Sequence, residues 1–204
     1  MGGGIWLQLI MNLVPFLGVV YYDWSVFALL YSFWLETLAM SFFDAIRIIF
    51  ASGSENKGPH ISKGFGFLVR RVGILLFYMV FIISFVGFMV SGKQAGGNFA
   101  VYLVLADDTF RITVITFFLI KLAELIFQYF LKGEYRTALP ETYNDLFSRQ
   151  LIVIHLVIVL GVFAYQFFAE KVDDHTGIVA FAGVFIIIKS LADLFAYKMS
   201  SRTS

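Results

Sequence analysis

WSVFALLYSFWLETLAMSFFDAIRII, residues 24–49, decides the fold class. At 1.5 Å per residue, a helix of this length crosses the roughly 30 Å hydrocarbon layer of a bilayer. Its only charges are Glu36, Asp44 and Arg47. Such a run reads as a transmembrane helix. Glu36 falls near its middle, where an ionised side chain costs at least about 2.5–3.5 kcal/mol on insertion scales. A carboxylate there has to be paired, hydrated or used.

Working outward from this stretch, other segments stay apolar over about 20 residues, as a span requires. They are 5–22, 65–90, 110–131, 151–168 and 177–197. With 24–49 they describe an all-α, polytopic transmembrane helix bundle of about six spans, forming one domain over 1–204. Tyr21-Tyr22-Asp23-Trp24 joins the first two spans by a very short turn, and its aromatic rings suit the membrane interface. The first span carries Asn12, Pro15 and Gly18, a candidate structural break. It reads either as a short crossing or as a re-entrant or tilted segment. It lacks a basic leader region and runs almost directly into the next span, unlike a cleavable signal peptide.

Composition agrees. Hydrophobic residues make up 60% of the 204-residue chain and charged residues only 14%, against about a quarter charged in soluble domains. The absence of cysteine excludes disulfides, thiolate metal sites and cysteine nucleophiles. A net charge of +1 with no basic arm offers nothing for nucleic acid. The partners to expect are membrane lipids, a second copy of the chain, or other membrane subunits.

Loop charges set an orientation. Arg47, Lys57, Lys63, Arg70, Arg71, Lys132, Arg136, Arg149, Lys198 and Arg202 fall on one side, and only Lys93, Arg111 and Lys171 on the other. Basic residues concentrate on the cytoplasmic side of membrane proteins. Both termini of this multi-pass chain are therefore expected on the cytoplasmic side. Six spans satisfy that parity, as do four if the first two form a hairpin that does not cross. Of the connecting segments, 51–66 reads as a flexible glycine- and serine-rich linker. Residues 91–109 hold a short apolar patch, and 133–148 reads as an interfacial helix with Pro140 near its start.

Among the titratable residues inside the spans, six stand out: Glu36, Lys121, Glu124, His155, Lys189 and Asp193. They are the candidates for binding an ion or proton. Lys121 and Glu124 are three apart on one stripe, and Lys189 and Asp193 four apart, spacings at which opposite charges touch. Ser32, Glu36, Met40 and Asp44 make a further row, with Arg47 one turn on. These faces are expected to converge. The plainer reading is that such pairs fix helix register, since removing one member of a buried pair is costly whatever its role. Asp44–Arg47 reads as structural, and His155 as a packing residue. No metal or cofactor motif is present: HExxH, GxGxxG and GxxxxGK[ST] are all missing. No catalytic residue stands out.

Two segments carry a family resemblance. Residues 12–48 contain an N-x-x-P-x-x-G run, then W-S, then an aromatic-W-L-E segment. SRQLIVIHLVIVLGVF (148–163) and IKSLADL (188–194) supply R-x-x-x-x-H and K-x-x-x-D. Together they resemble a prokaryotic integral membrane family known only as domain of unknown function 6498. The matching positions include Asn12, Pro15, Gly18, Trp24, Glu36, His155, Lys189 and Asp193. The resemblance implies that Glu36, His155, Lys189 and Asp193 belong to one site, and implies no activity. It departs in the third span, where the family's histidine-containing HYG-like motif is replaced by LLFYMVFIISFVGF.

Three functional readings remain. The first is proton- or ion-linked transport or channel activity along the charged residues. The second is a non-catalytic membrane subunit of a larger complex. The third is a membrane-embedded enzyme acting on a lipid-like substrate.

Overall fold

The computed structural model describes residues 3–53, 58–90, 107–144 and 149–200. Among these the fold is helical throughout, without strands. Helix α1 spans Gly3–Tyr22, α2 Val26–Phe50 and α3 Ile61–Val90. Helix α4, Asp108–Glu124, widens into a π-helical segment, Leu125–Leu131. A 3-10 turn at Glu134–Arg136 and the one-turn α5, Pro140–Tyr143, lead to α6, Arg149–Lys171, and α7, Asp174–Ser200.

Local chemistry accounts for the helix ends. Side-chain oxygens accept the otherwise orphaned first-turn N–H groups: Ser25 Oγ from Ala28 at 3.2 Å for α2, Asp107 Oδ1 from Phe110 at 2.7 Å for α4, and Asp173 Oδ1 from Thr176 at 2.7 Å for α7. Gly133 ends the π-helical segment at φ 77°, a conformation that costs glycine nothing. Pro140 opens α5, where its missing N–H goes unneeded.

Four helices among the described residues are long and apolar enough to cross a membrane: Val26–Phe50, Ile61–Ser84, Ile152–Lys171 and His175–Ala192. They correspond to the expected second, third, fifth and sixth spans. The expected fourth span is a helix, but Asp108, Arg111, Lys121 and Glu124 dilute its apolar character. In α1 the apolar stretch with described side chains is Asn12–Tyr22, short for a span. Helix α1 nevertheless runs unbroken through Pro15. Pro15 there leaves the carbonyl four residues earlier without its helical N–H partner. The linker read over 51–66 is shorter than expected, because α3 begins at Ile61. The apolar patch read within 91–109, residues 99–106, lies outside the described residues.

The chain divides into two compact units, with the boundary inside α2, α3 and α4. The first comprises Met1–Phe33, Ile82–Thr113 and Arg149–Ser204. Its backbone is the α6–α7 hairpin, with α1 also against α7. Two glycines permit the hairpin's close packing: a Cβ on Gly161 would lie 2.6 Å from the Phe181 ring, and one on Gly177 2.9 Å from the Tyr165 carbonyl. Trp24 is buried between Gly18 and Phe110, the latter with ring centroids 5.2 Å apart.

The second unit comprises Trp34–Phe81 and Val114–Ser148. Helices α2 and α3 meet where Gly64 faces Ile49 and the Ala45 carbonyl, and the indole of Trp34 donates to the Leu75 carbonyl at 2.7 Å. One apolar cluster gathers Phe43, Leu125 and Tyr129, and another Ala45, Ile48 and Phe67. Tyr143 packs against both.

Candidate functional site

The second unit sets charge beside these apolar clusters, with Arg71 buried and Asp44, Arg47, Lys121 and Glu124 half-buried. From α2, Asp44 accepts a hydrogen bond from Arg47 Nη1 at 2.8 Å. From α3, Arg71 is 2% exposed and its Nε donates to the Ser41 hydroxyl at 3.2 Å. Ser41 in turn donates to the Thr37 carbonyl at 2.7 Å. From α4, the Lys121 ammonium lies 2.9 Å from the Glu124 carboxylate. These are not isolated pairs, because Asp44 feels the positive charges of Arg47, Arg71 and Lys121 together. Three helices thus bring their charges to one place. Coulombic attraction at such distances is far stronger than in water, which offsets part of the desolvation cost of each group.

Helix periodicity explains the convergence. On α2, Thr37, Ser41 and Asp44 recur at spacings of four and three, one face of the helix. Glu36 lies beside Thr37, half-buried. On α3, Phe67 and Arg71 are four apart, and the guanidinium sits 5.9 Å from the Phe67 ring centroid. On α4, Lys121 is 5.8 Å from the Phe117 ring. Aromatic faces attract cations and lower the cost of withdrawing them from water.

The cluster is bounded at the end of α2 by an aromatic group. Tyr129 donates its hydroxyl to the Arg47 carbonyl at 2.5 Å, and the Arg47 guanidinium lies 5.7 Å from the Tyr143 ring centroid. Tyr143 donates to Glu134 at 3.0 Å. Burial, followed by that carboxylate, pushes the Tyr143 hydroxyl well above the usual phenol range, so it stays protonated and donating.

In the first unit the buried cation is Lys189. It is 5% exposed, with its ammonium 4.8 Å from the Phe33 ring centroid and 5.9 Å from that of Phe185. Phe181, Phe185 and Lys189 repeat every four residues along α7, and all are buried. His155 takes the opposite course and lies on the exposed face of α6, away from buried Val153, Ile154, Val157 and Ile158. Asp193 is on α7, one turn beyond Lys189, and its side chain lies outside the described residues. Asn12, Pro15 and Gly18 are buried on α1. No group of three metal-ligating side chains occurs among the described residues.

A family model described as a family of unknown function, DUF6498, matches residues 4–204. The chain belongs to that family. The resemblance carried by the two sequence segments therefore extends to nearly the whole chain, though the family description supplies no activity. No curated protein and no solved structure matches it.

For this DUF6498 chain, the expected Lys121–Glu124 pair forms as its spacing required. Asp44 and Arg47 also pair as expected, but inside a larger cluster. Arg71 went unrecognised because Arg70-Arg71 reads as ordinary flanking charge next to a span. Position on α3 could have singled it out: Arg71 shares the Phe67–Leu75 face, whereas Arg70 points outward and bonds only its own helix at Gly66 among the described contacts.

Proposed function

We propose that this protein is an integral membrane protein of the prokaryotic inner membrane that moves protons or small ions. Its charged cluster of Asp44, Arg47, Arg71, Lys121 and Glu124 forms part of the path, with Glu36 on the neighbouring face of α2. One observation carries the reading: Arg71, 2% exposed on a helix apolar enough to cross a membrane, bonds Ser41 and adds its charge to the field at Asp44. Ionisable groups at membrane depth mark ion pathways and proton relays more often than they mark packing. A path also needs groups that can exchange partners. Asp44, bonded to Arg47 and in the field of Arg71 and Lys121, meets that need better than a single closed pair does. The basic end of the unit, where Arg47, Lys63, Arg70, Lys132 and Arg136 gather, is assigned to the cytoplasm, placing both termini inside.

The experiment is reconstitution into liposomes with measurement of pH-gradient and cation flux. Flux above protein-free liposomes is expected, reduced at least tenfold in Asp44→Asn and Glu36→Gln. Absence of flux in the unmodified protein ends the transport reading. Unchanged flux in both variants removes these residues from any path.

A further inference from the structure

The charged cluster has a closure built from the chain itself. Beyond the π-helical segment, residues 133–144 fold back across the end of α2. Ser52 N–H donates to the Tyr135 carbonyl at 2.8 Å, and Gly53 N–H to the Ala138 carbonyl at 3.0 Å. The Ser52 hydroxyl adds a bond to the same Tyr135 carbonyl. Farther along, Lys63 of α3 pairs with Glu141 at 3.1 Å, with both side chains more than half exposed. Tyr143 then enters between the two apolar clusters and meets Arg47.

These attachments differ in kind. Tyr143 is a half-buried wedge packed against both clusters, whereas the backbone bonds and the surface ion pair are contacts that water readily replaces. Arg47 belongs to both structures, since its guanidinium binds Asp44 and lies against Tyr143. A movement of the strap that withdraws Tyr143 therefore changes the surroundings of the cluster's outermost cation. The π-helical segment from which the strap emerges supports the same idea. Such segments are rare and recur at functional positions, and this one is fastened to α2 through Tyr129 and the Arg47 carbonyl.

We propose that residues 133–144 are a gating strap. Closed, it seals the end of the cluster with Tyr143. Released, it admits water and ions to the buried Arg71–Ser41 contact. This rests on the transport reading for its purpose, but not for its test.

The chain has no cysteine, so Ser41→Cys introduces a single thiol at a position 1% exposed. Its rate of reaction with a charged, water-soluble methanethiosulfonate reports access to the cluster. Two changes loosen the strap. Lys63→Gln removes an exposed ion pair without disturbing the core. Gly53→Val places a side chain where a Cβ would lie 2.4 Å from the Thr137 carbonyl oxygen. Labelling is expected to quicken about threefold with Lys63→Gln and at least tenfold with Gly53→Val. Equal rates in the Lys63→Gln and unmodified strap backgrounds overturn the proposal, whatever Gly53→Val does to folding. Flux measured on the same strap backgrounds with Ser41 retained separates the two ideas: strap-dependent labelling without flux sustains the strap and ends the transport reading, and flux with strap-independent labelling does the reverse.

Discussion

Gly161→Ala tests whether the α6–α7 seam is as close as the structure has it. A methyl at this position would lie 2.6, 2.8 and 3.0 Å from three carbons of the Phe181 ring. Ordinary contact begins at 3.4 Å, so the ring or helix has to yield by about 0.8 Å. Phe181 is wholly buried, leaving the ring little room to turn aside. Overpacking of this kind costs about 1–3 kcal/mol. Phe181→Leu in the same background removes much of the obstruction while itself leaving a partial cavity. The two changes should therefore be strongly non-additive, with a coupling of about 0.5–3 kcal/mol as found for residues in contact. The assay is reversible unfolding in mixed detergent micelles followed by circular dichroism, on the single and double variants. Additivity within about 0.5 kcal/mol, or an unchanged midpoint for Gly161→Ala alone, would refute the close approach of these helices.

The remaining glycines divide by the same logic. Gly64→Ala should destabilise, because a Cβ there meets Ile49 at 2.5 Å and the Ala45 carbonyl at 2.9 Å, whereas Gly73→Ala and Gly183→Ala meet nothing within 4 Å. In those two helix interiors alanine should stabilise by about 0.5–1 kcal/mol, measured by the same unfolding midpoints. Tyr129→Phe should cost about 0.5–1.5 kcal/mol, the range for one lost hydrogen bond; the Arg47 carbonyl keeps its helical partner, the Ala51 N–H at 2.9 Å. Asp173 caps α7, and the Thr176 backbone N–H and hydroxyl hold its carboxyl below the usual range. A depressed folded value means that its stabilisation is present at neutral pH and is lost as pH falls through that value. Asp173→Asn should therefore flatten the acid limb of a stability–pH profile, and an unaltered limb would show that the cap contributes nothing.

How much of this was legible beforehand follows from range. The pairing of Lys121 with Glu124 is a matter of three residues along one helix, and periodicity settles it. The same holds for Asp44 and Arg47, three apart on α2. The significance of Arg71 was not visible, because adjacent Arg70 has the same chemistry and differs only in the direction its side chain takes from α3. His155 illustrates the opposite case. Its place within an apolar run suggested an inward position, yet the helix turns it to the exposed face. The strap was read as an interfacial helix from its mixed aromatic and charged residues, and one helical turn, Pro140–Tyr143, does open at Pro140; what the sequence did not show is that Tyr143 packs against both apolar clusters and that Gly53 N–H bonds the Ala138 carbonyl 85 residues on.

Sequence by itself determined the helical class, the length and apolar character that would let four of the helices cross a membrane, and the pairs within a turn of one another, since apolar run length and the 3.6-residue period are local properties. Only the tertiary structure decided which arginine is buried, which glycines admit a neighbouring ring and where the chain folds back across the end of α2. Those outcomes depend on contacts between residues far apart in the chain, and the period of a single helix says nothing about which of its faces a distant segment will cover.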